Sequence, residues 1–425
     1  MKEIISIIGL GYVGLPLASA FAEENFKVIG YDISHNRVKS LNSGYDLTNE
    51  VSKAKLKNKN LIFTNNISDI KQANFYIITV PTPIDKNNKP DLKIIFHASK
   101  AVGSLLKSKD FVIYESTVYP GLIEEECIPI LEKFSGLISK KDFHVGYSPE
   151  RINPGDKKNT IKNIIKVISA QDSTSLKKIE KVYKKIIKAG LYLSPSIKIA
   201  ESAKVLENIQ RDLNIALMNE LSVICHKLNI DTNDVLNAAG SKWNFLDFRP
   251  GLVGGHCIGV DPYYLIHKAK KIGIVSNLLI AGRKRNNSIS HFIIKELKKW
   301  LKLKNISNPR IAFLGVSFKE NIPDIRNSKA IEIIKNLNKK YRIDIFDSVI
   351  DPIDFKLIHN LNLMKISNHK KNYDVVILAV PHSNFKKNGW KLISSLINNS
   401  GGLLMDIKSS LPRNQKPENI ELWRL

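Results

Sequence analysis

The stretch Ile4-Ile5-Ser6-Ile7-Ile8-Gly9-Leu10-Gly11-Tyr12-Val13-Gly14 decides how the chain is read. Five mostly apolar residues predict a buried strand, and the glycines that follow open a helical stretch. A G-x-G-x-x-G string alone is a weak signal. Here its place between strand and helix gives each glycine a task. Gly9 permits a tight turn, Gly11 lets backbone approach a pyrophosphate, and Gly14 lets helix and strand pack closely. The helix N-terminus then offers N–H groups and partial positive charge to the phosphates. Asp32 ends the next apolar run, Lys27–Tyr31, 21 residues after Gly11. A carboxylate there accepts from a ribose 2′-hydroxyl and repels a 2′-phosphate, so NAD is expected rather than NADP. The alternatives are a flavin or a non-redox nucleotide in the same crevice.

Further along, Phe75–Val80, Phe111–Tyr114 and Phe143–Gly146 are short and apolar nearly throughout, as strands covered on both faces are. The segments between them are long enough for crossover helices, which predicts a doubly wound α/β domain over residues 1–196. The pattern returns after about residue 300. Ile311–Gly315 resembles the opening strand, Arg342–Asp347 parallels Lys27–Asp32, Tyr373–Pro381 parallels Phe75–Pro81, and Gly402–Asp406 parallels Phe111–Glu115. This degenerate duplication predicts a second such domain over 299–425. It lacks the glycine triplet and is expected to hold a different ligand. Residues 197–298 read as helix. Ile197–Leu228 has no Gly or Pro, and at ~1.5 Å per residue it would be near 45 Å long. Such a helix can hold two domains apart and present a face for dimerisation, although two shorter helices are the alternative. The expected fold class is α/β: two Rossmann-like doubly wound parallel-sheet domains joined by a long central helix and a helical dimerisation region.

Composition narrows the function classes. The 425 residues carry 65 Lys and Arg against 40 Asp and Glu, a formal charge of +25. The basic residues are lysine almost throughout, only 11 being arginine, and they are scattered in short runs. No basic stripe with base-stacking aromatics is present, so a nucleic-acid partner is not expected. With 43% apolar residues the chain is not a disordered one. Three cysteines, Cys127, Cys225 and Cys257, give neither a disulfide framework nor a zinc pattern; no metal is expected, and the reducing cytoplasm is. No apolar run approaches the ~20 residues that span a bilayer, and Met1–Ile8 runs into the glycine motif without a cleavage site, so neither a membrane span nor a signal peptide is expected.

The predicted strands end in polar punctuation: Pro81-Thr82-Pro83, Glu115-Ser116-Thr117 and Ser148-Pro149-Glu150-Arg151. Ligands of open parallel sheets bind outside the carboxyl ends of the strands, so Thr82, Thr117 and Glu150 are expected to converge near the nicotinamide. Each alone reads equally well as a turn residue or helix cap. On the long helix, Lys204, Asn208 and Arg211 fall within an arc of about 60°, either lining a cleft or forming a solvated face. The segment Arg249–Tyr264 holds several glycines and two prolines and reads as a structured loop. It places Cys257 as a nucleophile, with Asp261 four residues on. Cys127 and Cys225 lie among apolar neighbours and read as core. His256 as a base for Cys257 is the weaker reading, because adjacent side chains commonly point apart. In Phe318–Arg326, Lys319 and Arg326 are placed to meet phosphate or carboxylate groups.

Taken in order, these motifs resemble the nucleotide-sugar 6-dehydrogenases, the UDP-glucose and GDP-mannose dehydrogenase superfamily. The carriers are Gly9–Ala18, Val80–Pro83, Glu115–Gly121, Ser148–Asp156, the Lys204/Asn208 pair, Gly254–Tyr264 and Phe318–Ser328. Pro149–Gly155 and Gly240–Tyr264 resemble the branch that oxidises UDP-N-acetylglucosamine or UDP-N-acetylgalactosamine in bacterial capsule and O-antigen pathways. UDP-glucose, UDP-N-acetylmannosamine and GDP-mannose are the rival substrates. A basic nucleic-acid binder or a non-catalytic nucleotide sensor is the rival of another class.

The resemblance implies a four-electron oxidation at C6 with two NAD and a covalent link to Cys257, first a thiohemiacetal and then a thioester. Lys204 would stabilise negative charge on the C6 oxygen, Asn208 would add a hydrogen bond, and Asp261 would move a proton or orient water. Thr117 and Glu150 would place the hydrolytic water. The implied cofactor contacts are Gly9, Gly11, Tyr12, Val13, Gly14, Asp32, Arg37, Thr82, Thr117 and Arg326. The implied substrate contacts are Glu150, Arg151, Lys204, Asn208, Arg211, Arg249, Gly254 and Lys319, with Arg249 reaching the site of a partner in a homodimer. Two mild departures, Ser6 in the opening strand and the Lys/Asn-rich residues 48–60, touch no motif. Arg151, Arg211, Arg249 and Arg326 lie in or beside the motifs of an arginine-poor chain, so the charge is expected to serve nucleotide diphosphates.

Overall fold

The computed structural model describes residues 3–151, 160–255, 257–366 and 372–425. The chain divides into two compact units, Met1–Glu207 with Tyr263–Val275, and Asn208–Pro262 with Ser276–Leu425. The division falls inside the long helix.

In the first unit, β1 (Ile4–Ile8), β2 (Lys27–Tyr31), β3 (Leu61–Thr64), β4 (Phe75–Ile78), β5 (Phe111–Tyr114), β6 (His144–Tyr147), β7 (Lys166–Ala170) and β8 (Leu191–Leu193) form one sheet in the order β3-β2-β1-β4-β5-β6-β7-β8. The pairing is parallel from β3 to β6, antiparallel between β6 and β7, and parallel again between β7 and β8. Every residue of β4 is buried, as its unbroken apolar run requires. The chain leaves β1 toward β2 and β3 on one side and returns to β4 on the other. That reversal opens a crevice at the carboxyl ends of β1 and β4. Helix Gly14–Glu23 buries Leu15, Leu17, Ala18 and Phe21 against the sheet.

Three strands of this sheet had no counterpart among the expected ones: β3, β7 and β8. Ile62 in β3 and Tyr192 and Leu193 in β8 are exposed, and β7 is mostly buried but carries Lys166 and Ser169, so the continuous apolar run of a doubly covered strand is missing.

In the second unit, β9 (Arg310–Leu314), β10 (Arg342–Phe346), β11 (Val375–Leu378), β12 (Gly402–Asp406) and β13 (Ile420–Arg424) form an all-parallel sheet in the order β10-β9-β11-β12-β13. The order β10-β9-β11-β12 repeats β2-β1-β4-β5, so the duplication visible in sequence is carried by the topology. The edge strand β13 mixes polar and apolar residues, only Ile420 being buried, and was not expected.

The long helix runs unbroken over Ile197–Leu228, 32 residues, or about 48 Å at 1.5 Å each; the alternative of two shorter helices is not realised. One expectation is corrected. Asp261–Tyr264 belongs not to the loop but to the first turn of helix Asp261–Lys271. An acid at the helix start and Pro262 beside it suit that position, where the missing proline N–H has no intrahelical partner to lose. Among the described residues, no helix is long and apolar enough to cross a membrane.

Candidate active site

The glycine turn has the geometry its sequence demands. Gly9 takes φ 97° and donates its N–H to the Tyr31 carbonyl at 2.8 Å. A Cβ at Gly14 would overlap the Gly9 carbonyl oxygen, so only glycine lets the helix start this close to β1. A Cβ at Gly11 would meet nothing within 4 Å, which leaves open space where a diphosphate must approach. Tyr12 and Val13 complete the turn half-buried, and Val13, at the N-cap, supplies no side-chain cap. Asp32 accepts from the Leu10 amide at 2.9 Å through Oδ2 and from the Ser34 amide at 2.9 Å through Oδ1. The next residue, Ile33, is highly exposed and offers no cation for a 2′-phosphate. These features fit NAD. Arg37 is largely buried: its Nε donates to the Leu10 carbonyl at 2.9 Å and Nη1 pairs with Asp46 at 2.8 Å. It braces the glycine turn from below.

The loops after β4 and β5 are stitched together. Thr82 Oγ1 donates to the Thr117 carbonyl at 2.7 Å, and Ser116 Oγ donates to the Val80 carbonyl at 2.7 Å. Tyr264, from helix Asp261–Lys271, donates to the Thr82 carbonyl at 2.9 Å. Glu201 on the long helix accepts from the Gly121 and Ile123 amides and so caps the helix that follows the Thr117 loop. Burial, with smaller help from the charge of Glu124, pushes the Glu201 carboxyl up to about 7.

Glu150, after β6, is buried and meets the Lys166 ammonium at 2.8 Å and the Arg151 amide at 2.6 Å. Arg151 turns to the long helix, donating to the Lys204 carbonyl at 3.2 Å and pairing with Glu207 at 2.6 Å. Lys204 is itself buried, while Arg211 is exposed. The polar stripe on this helix is therefore covered at Lys204 and Asn208 and solvated at Arg211.

The second unit carries the cysteine loop. Asn208 donates to Asp261 Oδ2 at 2.6 Å, both groups being buried. The Cys257 carbonyl accepts from the Val260 and Asp261 amides at 2.9 and 2.8 Å, so a tight turn ties the cysteine to the start of the helix. Cys257 is half-buried, whereas Cys127 and Cys225 are buried core residues, as expected. Gly254 packs against backbone: a Cβ there would lie 2.6 Å from the Asn327 carbonyl oxygen, and a Cβ at Gly255 would press on the Phe318 ring. The cysteine loop thus lies on the segment that bears Lys319, which is half-buried, and Arg326, whose guanidinium is held by Asp324. Arg249 is partly exposed and paired with Asp247 at 2.7 Å. His256 and the motif residues 152–156 lie outside the described residues.

Sequence reasoning missed the residues that hold these groups. Asn219, buried on the long helix, accepts from the Gly251 amide at 2.8 Å and donates to the Gly251 carbonyl at 3.1 Å, anchoring the cysteine loop like a strand partner. It also donates to Asn286, which in turn donates to Asp212, the partner of Arg283. Nothing in the spacing of Asn219 marks it. Lys166, the partner of Glu150, was missed for the same reason.

A dinucleotide turn, an acid at the end of β2, and a cysteine loop closed onto a buried Asn–Asp pair define a nicotinamide-dependent dehydrogenase of the Rossmann class. Residues 3–187, 198–288 and 312–413 match in turn the NAD binding, central and UDP binding domains of the UDP-glucose/GDP-mannose dehydrogenase family. The chain is 49% identical to Protein CapL of Staphylococcus aureus over all of both chains. It is 48% identical to the UDP-N-acetyl-D-glucosamine 6-dehydrogenase of Salmonella typhi over 97% of each, and 47% identical to that of Pseudomonas aeruginosa over 93% of this chain and 94% of the other. The solved UDP-D-ManNAc dehydrogenase of Pyrococcus horikoshii superposes with a TM-score of 0.89 at 28% identity, over 99% of this chain and 98% of that one. The chain belongs to the UDP-glucose/GDP-mannose dehydrogenase family, with NAD as its cofactor and a nucleotide sugar as its substrate.

Proposed function

We propose that the chain is an NAD-dependent UDP-N-acetyl-D-glucosamine 6-dehydrogenase that carries the C6 alcohol to the carboxylic acid. The observation that carries this reading is the Cys257 loop, a half-exposed thiol in a turn closed onto the buried Asp261–Asn208 pair. The two relatives of that name, at 47–48% identity against 29–33% for the UDP-N-acetyl-D-mannosamine dehydrogenases, support the substrate.

When bound, NAD supplies the hydride acceptor for both steps. Lys204, buried on the long helix, stabilises the developing C6 alkoxide, and Asn208 adds a hydrogen bond. Asp261 takes or orients the proton. The Cys257 thiolate attacks the aldehyde carbon to give a thiohemiacetal, whose oxidation leaves a thioester. Glu150, held by Lys166, takes a proton from water as that water attacks, with Thr117 fixing its position, and the acid leaves as thiolate returns. Arg151, Arg211, Gly254, Lys319 and Arg326 serve the diphosphates and the sugar.

Residues 1–196 form the NAD domain, 197–298 the dimerisation region and 299–425 the UDP-sugar domain. Ile199, Leu206, Leu217, Ile224 and Leu228 support a homodimer: all are exposed, and at ~100° per residue they share one ~40° stripe of the long helix. Arg249 would then reach the partner's site, and Leu217→Lys with Ile224→Lys should yield a monomer by light scattering. The product is a nucleotide-linked uronic acid, made in the cytoplasm for an acidic surface polysaccharide.

Stoichiometry and a substrate panel test the reading. Two NADH per sugar acid are expected, fastest with UDP-N-acetylglucosamine, and Cys257→Ser should stop acid release. One NADH with accumulating aldehyde overturns the cysteine mechanism. A preference for UDP-glucose, UDP-N-acetylmannosamine or GDP-mannose overturns the substrate, and no turnover with any of them makes the chain a nucleotide sensor.

A further inference from the structure

The cysteine loop is tied to the long helix at more than one point. At ~100° per residue, Asn208, Asp212 and Asn219 fall within ~40° of one another on that helix. All three are buried, and each is turned to the segment Gly251–Asp261. Asn208 donates to Asp261 Oδ2 at 2.6 Å. Asn219 accepts from the buried Gly251 amide at 2.8 Å and donates to its carbonyl at 3.1 Å. Asp212 works through Arg283, whose Nη1 meets its Oδ1 at 2.5 Å. Arg283 comes from helix Asn277–Leu303, and a Cβ at Gly259 would lie 3.8 Å from its Nη2. The guanidinium therefore sits against the turn that opens at Cys257. The two helices come close enough for this because residue 282 is glycine: a Cβ there would lie 2.5 Å from Leu213 Cδ2.

Asn286, also buried, joins the two anchors. Its Nδ2 donates to Asp212 Oδ1 at 2.7 Å and to the Asp212 carbonyl at 2.9 Å, and its Oδ1 accepts from Asn219 Nδ2 at 2.8 Å. An ion pair as buried as Asp212–Arg283 adds little net stability, because desolvation offsets the attraction. What it supplies is direction: a planar guanidinium held by Asp212 on one side and by Asn287 Oδ1 at 2.9 Å on the other keeps one orientation. We propose that Asn219, Asn286, Asp212 and Arg283 act as one positioning unit that fixes both ends of the Cys257 loop and so aims the thiol. The proposal rests on the reading that Cys257 attacks a bound aldehyde. An aldehyde held by other groups of the site tolerates little error, and a displacement of about 1 Å costs up to about 100-fold in rate. A small reagent arriving from solvent needs access and no aim. Breaking the unit should therefore move these two reactivities in opposite directions.

Alkylation by iodoacetamide, followed at each cysteine of the full chain by peptide mass spectrometry, reads the first of them without turnover. In Asn219→Ala, Cys257 should react several-fold faster than in the native chain as its loop opens locally. Cys225, buried on the same helix, should stay protected. Acid release in that variant should fall about 10- to 100-fold, and the first hydride transfer, read in a single turnover, far less. Asn286→Ala keeps both direct anchors and uncouples them. It should show the same two signs at smaller size, and the double variant should fall short of the sum of the two. Unchanged or slower alkylation of Cys257, equal losses in the two steps, or additive effects overturn the proposal. Exposure of Cys225 together with Cys257 in both variants makes the network a support of the helix pair alone and overturns it too. Full acid release in Cys257→Ser would instead remove the cysteine mechanism, and the alkylation result would stand apart from it.

Discussion

The two parallel sheets begin with the same turn and put it to different ends. At Gly9 and Gly315 the backbone takes φ 97° and 86°, and each N–H donates at 2.8 Å to the carbonyl that ends the neighbouring strand, Tyr31 or Phe346. The following amide, Leu10 or Val316, donates to an aspartate Oδ2, Asp32 at 2.9 Å or Asp347 at 2.7 Å. Beyond that the halves part. The first chain passes through Gly11 and Gly14 straight into a helix, leaving Asp32 partly open. The second inserts the Phe318–Ser328 segment before helix Lys329–Leu337, and His382 Nε2 covers the Asp347 carboxylate at 3.0 Å. The Asn321 amide donates to His382 Nδ1 at 2.9 Å, so that nitrogen must carry no proton, and Nε2 donates to Asp347. Burial alone would raise the Asp347 pKa, but His382 and the Val316 and Val349 amides hold it below the usual carboxylate range. One acid is left partly open to solvent and its counterpart has become part of the interior, so a shared turn does not imply a shared ligand.

Substitutions at matched positions can break this comparison. The largest effect is expected at Gly14→Val, where a side chain would overlap the Gly9 carbonyl and Thr79 Oγ1; the first unit should fail to fold in thermal unfolding. Next, Asp347→Ala leaves the Val316, Val349 and His382 donors buried without their acceptor. It should cost about 2–4 kcal/mol in denaturant unfolding and leave NAD affinity unchanged, whereas Asp32→Ala should weaken NAD binding by about 10-fold or more at small cost in stability. Weakened NAD binding by Asp347→Ala would mean that the second turn had not lost the first one's task. Gly11→Ala sharpens the same point. Its Cβ has open space, so stability should hold while NAD affinity falls, by calorimetry. The smallest effect concerns pH. Glu115 and Glu201 sit at about 7 against an ordinary 4.5. Between those values the folded chain retains protons that the unfolded chain has released, so stability falls as pH rises through the window. Glu115→Gln and Glu201→Gln should each flatten that fall, by of order 1 kcal/mol.

Much of the site was legible because the chemistry is local. A glycine turn, an acid 21 residues on and a cysteine among glycines are each written within a few residues. The duplicated order of strands was legible too, since doubly covered strands leave unbroken apolar runs. The edge strands β3, β8 and β13 were not, because half-solvated strands lose that signature.

The sequence by itself determined the glycine turn, the long helix, the cysteine loop and the paired α/β halves. Only the tertiary structure decided which polar groups share an ion pair or a backbone anchor. Lys166 lies 51 residues from Glu115 and Asn219 lies 32 from Gly251. No periodicity connects positions so far apart. They meet because the sheet and the long helix remove them from water, and a polar group so removed must find its partner wherever the fold has put one.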